Sequence, residues 1–299
     1  VQNNKPYFAL IALCFLWGTT YLAIKIGVEH FPPFLFSGIR FVIAGGLITL
    51  AYAFQKNSIW PTFTEVKKLF FSGSLIFIGG NLFLVIAEQT VPSGLAALVN
   101  TAFPLWIVII TRLWNPAEKT PFIALLGIII GFGGQFLIFY EQLFLLNKSA
   151  YFVGIILCVL GVINGAVGSI HMKRFPVSTP PVLTGGLQML ICGIVTSLIG
   201  ILQGEISQLN SEPEGWLSML YLIIAGSILG YSLFVYALQH LPAAMVSVYA
   251  YVNPIVALWL GSLLLQESIS QRTIFAMVVT LVGVFIVSRG MQLSRKKQL

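Results

Sequence analysis

The chain has 299 residues, of which 58% are hydrophobic and only 8% charged, with a mean hydropathy of +0.94. A soluble domain carries roughly a quarter of its residues as Asp, Glu, Lys or Arg, so 16 basic and 9 acidic side chains, the acids all Glu, are too few to coat a water-soluble protein of this size. That sets aside a soluble enzyme, a nucleic-acid binder and a disordered chain; the net charge of +7 matters by where it lies.

A helix needs about 20 mostly apolar residues to cross a ~30 Å hydrocarbon core. In chain order, apolar runs bounded by Pro, Gly, Asn and charges predict ten spans, near 7–27, 33–54, 69–88, 92–112, 121–140, 151–172, 181–202, 216–238, 242–264 and 272–289. The first is too long for a signal-peptide core and no small-residue cleavage pattern follows it, so it reads as a retained span. Strands of a membrane barrel would alternate polar and apolar over ~10 residues, whereas these runs are apolar all round. The expected fold is an all-α polytopic membrane protein with no extramembrane domain of useful size. Cys14, Cys158 and Cys192 fall inside apolar runs and read as reduced packing residues.

Charge sets the orientation. With the N-terminus inside, the inner segments hold Lys5, Lys56, Lys67, Lys68, Arg112, Lys119, Lys173, Arg174, Arg289, Arg295, Lys296 and Lys297. The outer segments hold Lys25, Lys148 and Arg272, and Arg40 lies within the second span. Glu runs the other way, with Glu65 and Glu118 inside and the other seven outside. An excess of Lys and Arg marks cytoplasmic loops, so both termini are expected in the cytoplasm, in a bacterial inner membrane.

The chain also repeats itself. Gln89-Thr90-Val91-Pro92 matches Gln239-His240-Leu241-Pro242, and 12 residues beyond each proline stand Pro104 and Pro254. Phe31-Pro32-Pro33 lines up with Thr179-Pro180-Pro181 at a slightly smaller offset. The halves 1–145 and 146–299 therefore read as duplicated five-helix units of one integrated membrane domain. An odd number of spans per unit inverts the second copy, and inverted repeats with a midplane site are a mark of secondary transporters.

The segment Asn81 through Pro104 (NLFLVIAEQTVPSGLAALVNTAFP) resembles the third and fourth helices of EamA-type members of the drug/metabolite transporter superfamily. Tyr251-Val252-Asn253-Pro254, the following ALWLGSLLLQE, Phe15-Leu16-Trp17-Gly18 and Arg40 are similar to the same family, over essentially the whole chain. Glu118, after Trp114-Asn115-Pro116, departs from the family's smoother Gly-Glu ending. The resemblance implies ten helices in two inverted five-helix repeats around a central cavity. It also implies export or exchange of small metabolites such as amino acids, or of drugs.

Polar groups at membrane depth are functional candidates by default, against interhelical hydrogen bonds worth about 1 kcal/mol or less. Asn81, Asn100, Gln135, Asn164, Gln188 and Asn253 are mid-span. Asn81 and Glu88 are seven residues apart and share a face of the third helix, as Asn164 and His171 do on the sixth. Trp17, Tyr21, Tyr231, Tyr249 and Tyr251 lie away from the helix ends and suit stacking or cation–π contact. Pro104 and Pro254, expected in mid-helix, each free a carbonyl four residues back, at Asn100 and Ala250. The expected substrate-binding set is Trp17, Tyr21, Asn81, Asn100, Asn164, Tyr231, Tyr249 and Asn253; Glu88, His171, Pro104 and Pro254 are the candidates for coupling or gating.

Glu88, at the outer end of the third helix, is either a titrating coupling group or an interfacial carboxylate facing water, and His171 sits beside Lys173 and Arg174. Arg40 pairs with a carbonyl or Glu, or binds an anionic substrate, and Glu267 and Glu118 are expected to cap or fix neighbouring loops. GxxxG pairs at Gly127/Gly131, Gly161/Gly165 and Gly226/Gly230 point to close helix packing. No cofactor, metal or nucleic acid is expected, nor an enzyme; the partners are a small-molecule substrate and lipid, with proton coupling open, in a monomer or weak homodimer. The alternative is a channel or structural membrane subunit without saturable transport.

Overall fold

A computed structural model describes residues 4–55, 59–115, 121–143, 149–209, 212–241, 243–246 and 248–296, with backbone alone for 138–143, 149, 243–244 and 294–296. Glu118, Lys148, Pro242 and Lys297 lie outside the described residues.

The helices, in chain order, are α1 (Lys5–His30), α2 (Pro33–Ala53), α3 (Phe63–Glu88), α4 (Ser93–Trp114) and α5 (Phe122–Leu143). They continue with α6 (Ser149–Arg174), α7 (Pro181–Leu202), α8 (Pro213–His240), α9 (Tyr249–Leu265) and α10 (Gln271–Lys296). A short turn of 3₁₀ helix, Glu205–Gln208, follows α7, and one helical turn, Ala243–Val246, precedes α9. No strand occurs among the described residues. Among the described residues, eight helices are long and apolar enough to cross a membrane; α5, over Phe122–Leu137, and α9 are shorter apolar helices. Each falls on one of the expected runs.

Local chemistry explains the starts. Pro33, Pro181 and Pro213 are the first residues of α2, α7 and α8, where a missing N–H costs nothing and φ is already helical. Thr62 and Glu65 form a capping box on α3. Glu65 also accepts the Ser178 N–H at 2.6 Å and so ties the start of α3 to the loop before α7. Such contacts sort the helix ends. Arg174 lies over the Trp114 ring, 5.6 Å from its centroid, while Lys25 donates to the Glu88 carbonyl and Thr90 to the Ala150 carbonyl at the other end. We call the end where α1 begins the terminal end, and the opposite end the far end.

Two helices depart from regular α geometry at corresponding places. α3 widens to a π-helix over Ser74–Leu82, and α8 does so over Leu222–Leu229. A π turn leaves carbonyls without their usual i+4 partner, and such turns are frequent at functional sites. The Gly226 carbonyl is met instead by the Trp17 indole N–H at 3.1 Å.

The most extensive pairings are α2 along α7 and α5 along α10; α1 packs on α8 and α9, and α6 on α3 and α4. Lipid tails are as apolar as the helices, so close contact of small residues holds such pairs. On α5 and α10 these are Gly127, Gly131 and Gly134 against Ala276, Thr280 and Gly283.

The apolar core falls into one main cluster, which reaches Ile48 toward the terminal end of α2, and two smaller ones. The main cluster joins Ala23, Ile24 and Val28 of α1 to Val85, Leu95, Cys158, Met189 and Leu222 from five other helices, these all in the middle or far half. The smaller clusters lie toward the terminal end. One holds Leu10, Leu13, Cys14, Ala237 and Val246; the other holds Ala102, Leu105, Val108, Val284 and Val287.

Candidate functional site

Mid-depth polar and aromatic side chains gather on two walls. The first is built by α1, α8 and α9. Trp17 lies 5.0 Å from Tyr249 edge-on and 5.2 Å from Phe234, and Tyr249 meets Phe234 at 5.9 Å. Tyr231 lies 6.4 Å from Phe234, and its hydroxyl donates to the Pro181 carbonyl at 3.3 Å. Asn253 is buried; with its amide oriented to satisfy its neighbours, Nδ2 donates to the carbonyls of Tyr249 and Cys14 at 2.9 and 3.1 Å. Its amide nitrogen thus ties α9 to α1.

The second wall is built by α3, α4 and α6. Asn164 packs on Gly79 of the α3 π segment, and Asn81 carries a buried Oδ1 without a hydrogen-bond partner. Asn100 and Asn164 turn their amide nitrogens onto their own helices, at Ala96 and Leu160. Asn81, Asn100 and Asn164 remain partly exposed at mid-helix, as do Trp17, Tyr21 and Tyr231; Tyr249, expected away from the helix ends, is instead the first residue of α9 and is likewise partly exposed. An open groove of about 540 Å³ lies elsewhere, between the terminal halves of α1 and α8, lined by Lys5, Phe8, Ala12, Leu233 and Tyr236.

Buried charge lies between the walls and the far end. Glu88 is fully buried, and neither carboxylate oxygen has a hydrogen-bond partner among the described residues. The reading of an interfacial carboxylate facing water is therefore corrected: α1 covers it, with Lys25 donating to the Glu88 backbone carbonyl at 2.6 Å. Lys25, Arg40, Glu267 and Tyr21 are within electrostatic range of Glu88. Arg40 of α2 donates from Nε to Ser227 in the α8 π segment at 3.0 Å and lies over the Phe41 ring, while its Nη1 is buried without a partner. Ionisable groups inside a span are costly and are candidates for function by default.

His171 shares a face of α6 with Asn164, both against α3, but at the terminal end. It is wedged between Phe71 and Phe175, with centroids at 4.6 and 4.7 Å, away from Glu88. Lys68 is its charged neighbour.

The prolines differ from expectation in one case. Pro254 stands inside continuous α9. α4 is instead broken at Thr101-Ala102, and Pro104 is the second residue of its second segment, Phe103–Trp114. Proline cannot supply an N–H and tightens the chain before it; Thr101 and Ala102 bond to Leu98 and Val99 by i→i+3 links. Gln135 of α5 seals the break, donating to the Leu98 carbonyl at 3.1 Å. Gln188 likewise joins α7 to Ser72 of α3 at 2.7 Å.

Sequence reasoning missed Phe234, Ser227 and Glu205. Phe234 follows Tyr231 by three residues and shares its helix face, so the spacing contained that signal. Nothing in the sequence pairs Ser227 with Arg40.

The described residues form an all-helical polytopic membrane protein. The chain belongs to the EamA-like transporter family, whose model matches it twice, over residues 4–140 and 152–289. It is 34% identical over 289 residues to the uncharacterized inner membrane transporter YedA of Escherichia coli K12, covering 95% of this chain and 91% of that one. It is 26% identical to the uncharacterized transporter sll0355 of Synechocystis, over 97% and 92% of the two chains. A crystal structure sharing 19% identity has the same fold, at a TM-score of 0.65 over 96% of this chain and 98% of that one. Family and relatives place the protein among membrane transporters rather than enzymes.

Proposed function

We propose that the protein is a secondary transporter that exports or exchanges small amphipathic metabolites, amino-acid-like or drug-like, by alternating access. The observation that carries this reading is the divided core. The main cluster is centred on the middle and far half, two separate clusters lie toward the terminal end, and Asn81, Asn100, Asn164, Trp17 and Tyr249 are partly exposed. Those residues, with Tyr21, Tyr231 and Asn253, would meet substrate between the walls, and Glu88 is the proposed coupling group.

The architecture proposed is ten spans in two inverted five-helix units. In support, the family model matches each half separately, and π segments recur in α3 and α8. The packing of α1 on α8 and α9 mirrors that of α6 on α3 and α4. The basic residues favour cytoplasmic termini, which makes the terminal end the inner one; a relative named as an inner membrane transporter favours that membrane.

Counterflow of radiolabelled metabolites in proteoliposomes tests the function. Saturable exchange is expected for some metabolite class. No saturable exchange for any class, or unsaturable conductance, would sink the reading in favour of a channel or structural subunit.

A further inference from the structure

α4 begins without a cap of its own, because Pro92 precedes it and offers no side-chain acceptor. Its first donors are taken by a residue from the other half of the chain. The Glu267 carboxylate accepts the Ser93 N–H at 2.8 Å, the Ser93 hydroxyl at 3.1 Å and the Gly94 N–H at 3.3 Å. Such bonds are charge-assisted and lie at the positive end of the helix dipole.

The surroundings are shaped around this contact. Gly261 of α9 leaves the room that the carboxylate fills; a Cβ there would lie 2.4 Å from Glu267 Oε2. A Cβ on Gly94 would lie 2.9 Å from the Leu258 Cα, so α4 and α9 touch nearly backbone to backbone here. Gln266, just before Glu267, has φ of 54°, a left-handed conformation that side-chain-bearing residues disfavour. That turn folds the chain back, with the Glu267 N–H on the Gly261 carbonyl, and aims the carboxylate at α4.

The contact is one-sided. α9 packs on the far segment of α4, Ser93–Asn100, while the segment Phe103–Trp114 packs chiefly on α6 and α10. The two helices are closed at the Glu267 end, and the two separate apolar clusters lie toward the other.

We propose that Glu267 is the latch of the far-end gate: its carboxylate holds α4 against α9 while the bundle is closed at that end, and its release accompanies opening there. This rests on the alternating-access reading above.

The test follows separation of α4 from α9. Ala97 is buried, on the α4 face that carries Gly94 one turn away. Ala97→Cys, in full-length protein with Cys14, Cys158 and Cys192 replaced by Ala, is labelled in nanodiscs with a membrane-impermeant maleimide. Buried Ala124 at the terminal end of α5, as Ala124→Cys, is the control reporter. Glu267→Ala is expected to raise labelling at position 97 about tenfold, as loss of charge-assisted bonds predicts, and to leave position 124 unchanged. A rise at both reporters, or at neither, overturns the latch. Where Glu267→Ala gives no folded protein, Ser93→Ala decides by the same criteria, with a rise of about threefold expected for one lost hydroxyl donor. Labelling needs no substrate, so failure to find transport and failure of the latch are separate results.

Discussion

A carboxylate at a helix start does different work from one buried at a helix end, and this chain uses both. Glu205 is buried and accepts the Phe34 and Leu35 N–H groups at 3.3 and 2.7 Å, capping α2, which begins after Pro32 and has no cap of its own. Glu205→Ala should cost about 1–2 kcal/mol, read as a lowered melting temperature of the detergent-solubilised protein; an unchanged melt would show the cap to be inert. Glu88 sits at the end of α3, its two oxygens without a partner among the described residues. If it carries the coupling proton, Glu88→Gln should keep solute exchange but lose net flux driven by a pH gradient. Wild-type response to the gradient would remove Glu88 from the mechanism. That Glu88 stood out was legible in the sequence, because ionisable residues inside spans are rare. Its full burial was not, since α1 supplies the cover from 63 residues away, through Lys25.

At the scale of elements, composition located the helices but not their irregularities. Apolar length marks a span, whereas a π turn or a break depends on what a neighbouring helix offers the freed backbone. The Trp17 indole on the Gly226 carbonyl and the Gln135 amide on the Leu98 carbonyl are such offers. GxxxG spacing did forecast close packing. A Cβ on Gly283 would lie 2.3 Å from the Gly131 backbone nitrogen, so Gly283→Val must push α5 and α10 apart, whereas a Cβ on Gly133 would meet nothing within 4 Å. Gly283→Val should cost several kcal/mol, in the range of severe overpacking, and Gly133→Ala should be neutral or stabilising by about 0.5–1 kcal/mol. Thermal melts of the two variants check the contrast; equal stability would contradict the α5–α10 packing.

For the whole molecule, the proposed transport rests on movement of the two walls relative to one another. Asn100 and Asn164 are partly exposed on the wall of α3, α4 and α6, and their amide nitrogens already bond to their own helices. Asn100→Leu and Asn164→Leu should therefore spare insertion and folding yet reduce counterflow by tenfold or more, the loss expected when a site's hydrogen-bonding group is removed. Full exchange in both variants would move the site elsewhere, the Trp17, Phe234 and Tyr249 wall being the next place to look. His171 lies at the terminal end of α6, between Phe71 and Phe175 and away from the mid-depth residues of that wall, and His171→Gln should leave exchange intact.

The sequence by itself determined the class of protein, the positions of its helices and the family. Hydrophobic length, proline at helix starts and repeated motifs are local or periodic signals that survive without a third dimension. Only the tertiary structure decided that Glu88 is covered, that Arg40 meets Ser227, that α4 breaks before Pro104, and that Glu267 caps α4. Each of these joins residues far apart in the chain, and nothing in a linear pattern records which distant partner will satisfy a polar group. The scarcity of charge that first excluded a soluble protein gains its meaning there. With so few charged groups at depth, their tertiary partners decide which are structural and which are left for transport.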